Sequence, residues 1–138
     1  MLQAETQLRV RYAETDQMGI VYYANYLVWM EVGRVDYCRQ MGFEYADMES
    51  QDGALLTVSE AKCRYRAPAR FNDEIRVLTK VLESRSRTIR FGYEIRRDAD
   101  RRLLATGETL HTICGRDGKM MRLPEKYRPY FPLTNGEE

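Results

Sequence analysis

The sequence is poor in histidine, cysteine and proline and has no net charge to speak of, and each shortage excludes something. The one histidine, His111, leaves no H-x-x-x-H pair, and no carboxylate cluster has ligand spacing, so no metal centre is expected. The three cysteines, Cys38, Cys63 and Cys114, are far apart, odd in number and without C-x-x-C spacing. They are expected as buried free thiols rather than zinc ligands or a redox pair. No G-x-x-x-x-G-K-[ST] loop is present to cradle a nucleotide phosphate, and no G-x-S-x-G elbow to present a serine nucleophile. Lys and Arg number 22 against 21 Asp and Glu, a net charge of +1, so no overall field draws the chain to nucleic acid or a membrane surface. No run approaches the roughly 20 apolar residues of a membrane span, and MLQAETQLRV lacks the basic and apolar regions of a secretory signal. A reducing cytoplasm is the expected location.

What is present suffices for one folded domain over residues 1–138, with 43% hydrophobic residues and no repeat, low-complexity tract or linker. Residues 6–13 alternate Leu8, Val10 and Tyr12 against polar neighbours, the period of a half-buried strand. From Asn25 to Met41 the period lengthens: Tyr26, Met30, Gly33, Tyr37 and Met41 form one helical stripe, and Gly42 supplies a stop. Leu27, Val28, Trp29 and Val32 lie outside that stripe, so the first half of the helix should be covered on several sides. After a polar stretch at 44–53, four strands are predicted at 55–66, 75–83, 88–97 and 103–114, with Gly107 permitting a bulge. A strand, a long helix and four more strands argue for an α+β fold, an antiparallel sheet packed on one helix. The tail, with Pro124, Pro129 and Pro132, should be irregular or weakly helical, and 134–138 frayed.

One carboxylate is conspicuous. Asp16 lies in a short polar patch, Glu14–Gln17, that ends a strand-like run and passes through Gly19 directly into apolar sequence. A loop Asp ordinarily caps its own turn through a nearby backbone amide, and a carboxylate poised for chemistry is the competing reading.

The stretch YAETDQMGIVYYANYLVWMEVGR, followed by YRAPARFND, resembles the 4-hydroxybenzoyl-CoA thioesterase and YbgC-like acyl-CoA thioesterases of the hotdog superfamily. The likeness extends over nearly the whole chain. It implies an antiparallel sheet of about five strands wrapped around one long helix. It also implies association into homodimers, often paired into homotetramers, with active sites at the dimer interface. The implied activity is cofactor-independent hydrolysis of an acyl-CoA to a free acid and coenzyme A, which enters only as part of the substrate and product. Asp16 then corresponds to the catalytic carboxylate of the T-D-x-x-G-I-V-Y pattern, acting as nucleophile or general base. Tyr23 corresponds to the oxyanion donor through its backbone amide; many relatives have His there, so a side-chain role is not carried over. Tyr12, Gly19, Val21 and Asn25 fall in the same motif as substrate-binding positions. Arg85 and Arg87 fall where relatives hold the nucleotide phosphates.

Other readings stand beside these. Tyr12, Tyr22 and Tyr26 fit core packing near a helix start, Arg70 fits a turn-holding pair with Asp73, and His111 fits a structural role in the last strand. A hydrolase acting on acyl carrier protein, or a noncatalytic acyl-CoA-binding module of the same fold, are the alternative functions.

Overall fold

A computed structural model describes residues 2–134 of the chain. Its elements are β1 (Gln3–Arg9), α1 (Asn25–Met41), α2 (Tyr45–Asp52), β2 (Leu55–Tyr65), β3 (Glu74–Ser84), β4 (Thr88–Arg97) and β5 (Leu103–Cys114), with 3-10 turns at Tyr12–Glu14 and Glu125–Tyr127. The five strands form one antiparallel sheet in the order β1-β3-β4-β5-β2. β3, β4 and β5 are a meander, while β1 and β2 close its two edges. α1 lies across the inner face of this curved sheet, as the alternation and the helical stripe predict.

Alternation explains the sheet's two faces. Ile75, Val77 and Thr79 of β3, Ile89, Phe91, Tyr93 and Ile95 of β4, and Leu104 and Ile113 of β5 are buried. The outward positions carry ion pairs such as Lys80–Glu94 at 3.4 Å and Arg90–Glu108 at 3.3 Å. From α1, Tyr26, Trp29, Met30, Gly33, Tyr37 and Cys38 enter the core. Gly33 sets the depth of the helix, since a Cβ there would lie 2.5 Å from Thr79 Oγ1 and 3.0 Å from Val77 Cγ1. Gly42 ends it in the left-handed region, φ 112°, with its N–H donating to the carbonyls of Cys38 and Arg39.

Four expectations are corrected. The first strand runs Gln3–Arg9 rather than 6–13: its buried positions are Ala4 and Thr6, and Tyr12 falls in a 3-10 turn. The polar stretch at 44–53 contains a helix, which buries only Met48 and so carries no apolar stripe. Gly107 is regularly paired with Cys63 and Tyr93, and the irregularities fall at Val58/Glu60, Val81/Glu83 and Ile95/Arg96. Glycine is required at 107 because a Cβ would run into Met30 and come within 2.9 Å of the Lys62 carbonyl. The tail is irregular with one 3-10 turn, as expected, but it is held at Thr134 rather than frayed there: Phe131 is buried, Tyr37 Oη donates to Tyr130 O at 2.7 Å, and Thr134 Oγ1 donates to Ser84 O at 3.1 Å. The remainder of the frayed segment expected at 134–138 lies outside the described residues.

α1 is only partly covered. Leu27, Val28 and Val32 are 39%, 46% and 40% exposed, and the edge strand β2 is itself exposed along most of its length.

Candidate active site

Asp16 owes its position to a tight turn. Gly19 N–H donates to Asp16 O at 2.9 Å and Asp16 N–H donates to Ile20 O at 2.9 Å, so residues 15–21 double back, with Thr15 bridged to Val21. Asp at the first position and glycine at the fourth is the ordinary chemistry of such a turn, and Gly19, at φ 78°, occupies the left-handed region. Val21 N–H then donates to Ala69 O at 2.9 Å, which fastens the turn to the loop after β2.

The two readings of Asp16 divide between its oxygens. Oδ1 accepts the Met18 amide at 2.8 Å, the local cap expected of a loop Asp. Oδ2 takes no hydrogen bond from any described residue. The side chain lines a cleft of about 370 Å³ whose walls include Val21, Tyr23, Tyr26, Tyr65, Arg66 and Pro68. The phenol of the neighbouring Tyr22 is raised by a hydrogen bond with Tyr23 first and in lesser part by the Asp16 carboxylate, which puts that charge close by.

Tyr23, just before the start of α1, lines the same cleft. Asn25 N–H donates to Tyr22 O at 2.9 Å and Tyr26 N–H to Tyr23 O at 3.3 Å, so the chain is already turning helically at Tyr22. The amides of Tyr23 and Ala24 accordingly have no acceptor among the described residues, as at the first turn of any helix, where the dipole is positive. Tyr65 Oη donates to Tyr23 O at 2.9 Å and so orients the Tyr23–Ala24 peptide. Burial raises the Tyr65 phenol, which stays protonated as that donor.

Glu14 holds the two halves together, and nothing in the sequence picks it out, because its partner is 15 residues away. Its buried carboxylate accepts Trp29 Nε1–H at 3.0 Å and the Arg11 amide at 2.8 Å. Its carbonyl accepts Tyr22 N–H at 2.9 Å and Asn25 Nδ2–H at 2.8 Å. One residue, two positions before Asp16, thus anchors the start of α1 three times and its own 3-10 turn once.

The other predicted positions are divided. Gly19, Val21 and Asn25 build the turn and helix start, Asn25 through its bond to Glu14. Tyr12 does not line the cleft; its exposed ring packs edge-on against Phe71 at 5.5 Å. Arg85 and Arg87 lie on the β3–β4 turn, whereas the Asp16 loop adjoins the residues before β3. The 11 residues of β3 span roughly 35 Å at about 3.3 Å each, so within one chain these arginines do not reach the Asp16 cleft. Arg66 is the arginine that does line it. Arg70 reaches Asp73 through its backbone N–H, 2.9 Å from Oδ2, and the Asp73 carboxylate pairs instead with Arg97 at 3.6 Å. Tyr26 is buried in the core, its hydroxyl accepting Ala69 N–H at 3.2 Å. His111 is fully buried between Leu56 O and Thr109 Oγ1, and burial lowers it to about 4, so it is a neutral structural group. The cysteines are free, with Cys38 buried and Cys63 and Cys114 half-buried. Among the described residues no group of His, Cys, Asp and Glu could hold a metal, and no helix is long and apolar enough to cross a membrane.

A carboxylate with one oxygen unpaired among the described residues thus shares a cleft with Tyr23, beside the unpaired amides of a helix start. The model of the thioesterase-like superfamily matches residues 10–129, which include all of it. The chain belongs to the thioesterase-like superfamily. It is a thioester hydrolase of the hotdog fold. The Bacillus subtilis protein YneP is 39% identical over 129 residues, covering 94% of this chain and 90% of that one. The acyl-CoA thioesterase YbgC of Haemophilus influenzae is 30% identical over 126 residues, 90% of each chain. Among solved structures, the DHNA-CoA thioesterase of Staphylococcus aureus superposes with a TM-score of 0.84 at 34% identity, over 96% of this chain and 85% of that one. Hotdog architecture and superfamily membership therefore agree with the expectation from the two sequence motifs.

Proposed function

We propose that this thioesterase hydrolyses acyl-CoA substrates to a free carboxylic acid and coenzyme A, with Asp16 as the reacting carboxylate. The observation that carries the proposal is that Asp16, whose Oδ2 takes no hydrogen bond from any described residue, lines one cleft with Tyr23, where α1 begins with amides that have no acceptor among the described residues. The carboxylate either attacks the thioester carbonyl, expelling the thiolate and leaving a mixed anhydride for water to open, or takes a proton from a water that attacks instead. In both routes negative charge develops on the carbonyl oxygen, and donors preorganised at a helix start stabilise it. The protein's own groups complete the reaction, without a resident cofactor.

The working unit in this reading is a homodimer, formed by a second copy pairing antiparallel along the open edge of β2. Such pairing about a two-fold axis sets the Leu55 end of one β2 beside the Tyr65 end of the other. It covers Leu27, Val28 and Val32, and it swings the partner's β3–β4 turn toward the Asp16 cleft, where its arginines can meet the phosphates of coenzyme A. The free thiols accord with a reducing compartment.

Thiol release from a panel of acyl-CoAs, run beside the same acyl groups on acyl carrier protein, tests the reading. Turnover of the coenzyme A forms is expected. Turnover of the carrier-protein forms alone would transfer the assignment to that carrier, and binding without thiol release would make the protein a noncatalytic acyl-CoA module.

A further inference from the structure

The near-equal charge of the whole chain conceals a local excess at the end of the sheet where Asp16 lies. Three loops meet there. Residues 10–21 are bonded to 66–73: Val10 N–H donates to Asp73 O at 2.9 Å, Asn72 N–H to Val10 O at 3.0 Å and Val21 N–H to Ala69 O. The β4–β5 turn joins them through Arg97, which donates to Pro68 O at 3.3 Å and pairs with Asp73 at 3.6 Å. The carboxylates of Asp73, Glu74, Asp98 and Asp100 at this end are all paired, with Arg97, Arg9, Arg76 and again Arg97. The exposed guanidinium groups of Arg66, Arg70, Arg101 and Arg102 have no carboxylate partner among the described residues, and only Asp16 is left to oppose them.

The same end carries an apolar excess. Tyr12 and Met18, at 76% and 75%, are the most exposed large apolar side chains among the described residues, and Phe71 is 54% exposed. Tyr12 and Phe71 come from two different loops and pack edge to face at 5.5 Å, forming one knob outside the Asp16 cleft. Tyr12 follows β1 and Phe71 precedes β3, toward the sheet edge opposite β2, so a second copy paired along β2 leaves the knob uncovered. Hydrated arginines need no partner; what they add is a positive field around exposed rings. Rings and arginines at loop tips suit the boundary of an anionic bilayer, where rings rest at headgroup level and each basic side chain is drawn to the negative surface. An acidic protein would answer the arginines but would need a recess cut to the knob, whereas lipid headgroups part around it.

We propose that this end of the molecule docks on anionic membrane surfaces, with Tyr12 and Phe71 set among the headgroups and Arg70, Arg101 and Arg102 against the lipid phosphates. Docking is peripheral and reversible, since two rings and a few charges supply far less than a spanning helix. In the dimer the two docking ends point apart, because β2 pairs antiparallel, and one protomer docks at a time. The use of docking rests on the hydrolase reading above: long-chain acyl-CoAs are amphiphiles that partition into bilayers, and docking brings the Asp16 cleft to the surface that holds them.

The test is co-sedimentation of the wild-type protein with vesicles of phosphatidylcholine alone and of phosphatidylcholine and phosphatidylglycerol in equal parts. Binding to the anionic vesicles is expected to be at least about tenfold tighter than to the neutral ones and to weaken as salt is raised. Arg70→Gln/Arg101→Asn should weaken it about 25-fold, roughly fivefold for each arginine. Phe71→Ser should weaken it about tenfold by removing half of the knob. Both variants should match wild type in circular dichroism and in thiol release from a short-chain acyl-CoA free in solution, which separates lost docking from lost folding. Equal binding to the two kinds of vesicle, or wild-type affinity in either variant, overturns the proposal. So does capture of an acidic acyl carrier protein without vesicle binding, which would assign the face to a protein. With palmitoyl-CoA held in anionic vesicles, thiol release should be severalfold slower in Arg70→Gln/Arg101→Asn than in wild type; equal rates would refute the link to catalysis. A wild-type protein that releases no thiol would count against the hydrolase reading alone and leave vesicle binding to judge the face.

Discussion

Replacing Glu14 with alanine tests the argument that this residue, rather than any group in the cleft itself, fixes the relation between Asp16 and the start of α1. The substitution removes the acceptor of Trp29 Nε1–H at 3.0 Å and of the Arg11 amide at 2.8 Å. A hydrogen bond to a charged acceptor contributes about 1.5–3 kcal/mol, and a buried donor left bare costs about 1–3 kcal/mol. Trp29 is 1% exposed and cannot recruit water, whereas Arg11 is exposed and can. Relief of the carboxylate's own desolvation offsets part of the loss. A net destabilisation of about 2–3 kcal/mol is expected, a fall in Tm of roughly 5–15 °C for a domain of this size. Glu14→Gln keeps one acceptor for the indole and should lose about 1 kcal/mol. Trp29 is the only tryptophan, so its emission in urea unfolding reports the transition and, in native buffer, the changed surroundings of the indole. In protein that remains folded, kcat should fall more than KM changes, because the Tyr23 amide loses its fixed distance from Asp16. Glu14→Ala protein within 0.5 kcal/mol of wild type, with unaltered emission and kcat, would refute the reasoning.

Other perturbations read other parts of the structure. His111 is lowered to about 4 in the fold against about 6.5 unfolded, so its contribution is complete above pH 6.5 and is lost as pH falls toward 4. The loss, on the order of 3 kcal/mol, should vanish from urea titrations of His111→Gln; an equally steep decline there would contradict the assignment. Gly33→Ala gains about 1 kcal/mol of helix propensity but sets a Cβ 2.5 Å from Thr79 Oγ1, and overpacking of about 1–3 kcal/mol should leave it less stable than wild type. A more stable variant would show that α1 can lift from β3 freely. Tyr65→Phe removes the bond to Tyr23 O and should lower stability by about 1 kcal/mol while reducing kcat severalfold; unchanged turnover would mean that the Tyr23–Ala24 peptide needs no such support.

The sheet and α1 were legible because they bury one face each. Ile75, Val77, Ile89, Phe91 and Ile95 repeat at two, Met30, Gly33 and Tyr37 at three and four, and Gly42 stops the helix at the expected residue. α2 escaped because one buried residue, Met48, makes no period. β1 was displaced because its buried positions are Ala4 and Thr6, which hydrophobicity does not flag. The turn around Asp16 could be read from Asp and Gly three residues apart, since that chemistry is local. Glu14 with Trp29 and Tyr65 with Tyr23 could not, because each joins elements that only the fold brings together. Arg85 and Arg87 were placed by motif, and no local pattern reveals that a whole strand separates them from Asp16.

The most direct measurement is single-turnover hydrolysis of an acyl-CoA by Asp16→Asn beside the wild-type protein, with circular dichroism and calorimetry showing that the variant folds and still binds the substrate. Thiol release should fall at least about a thousandfold with binding retained, because the amide can neither attack the carbonyl nor take a proton from water. Hydrolysis by folded Asp16→Asn at the wild-type rate would contradict the account.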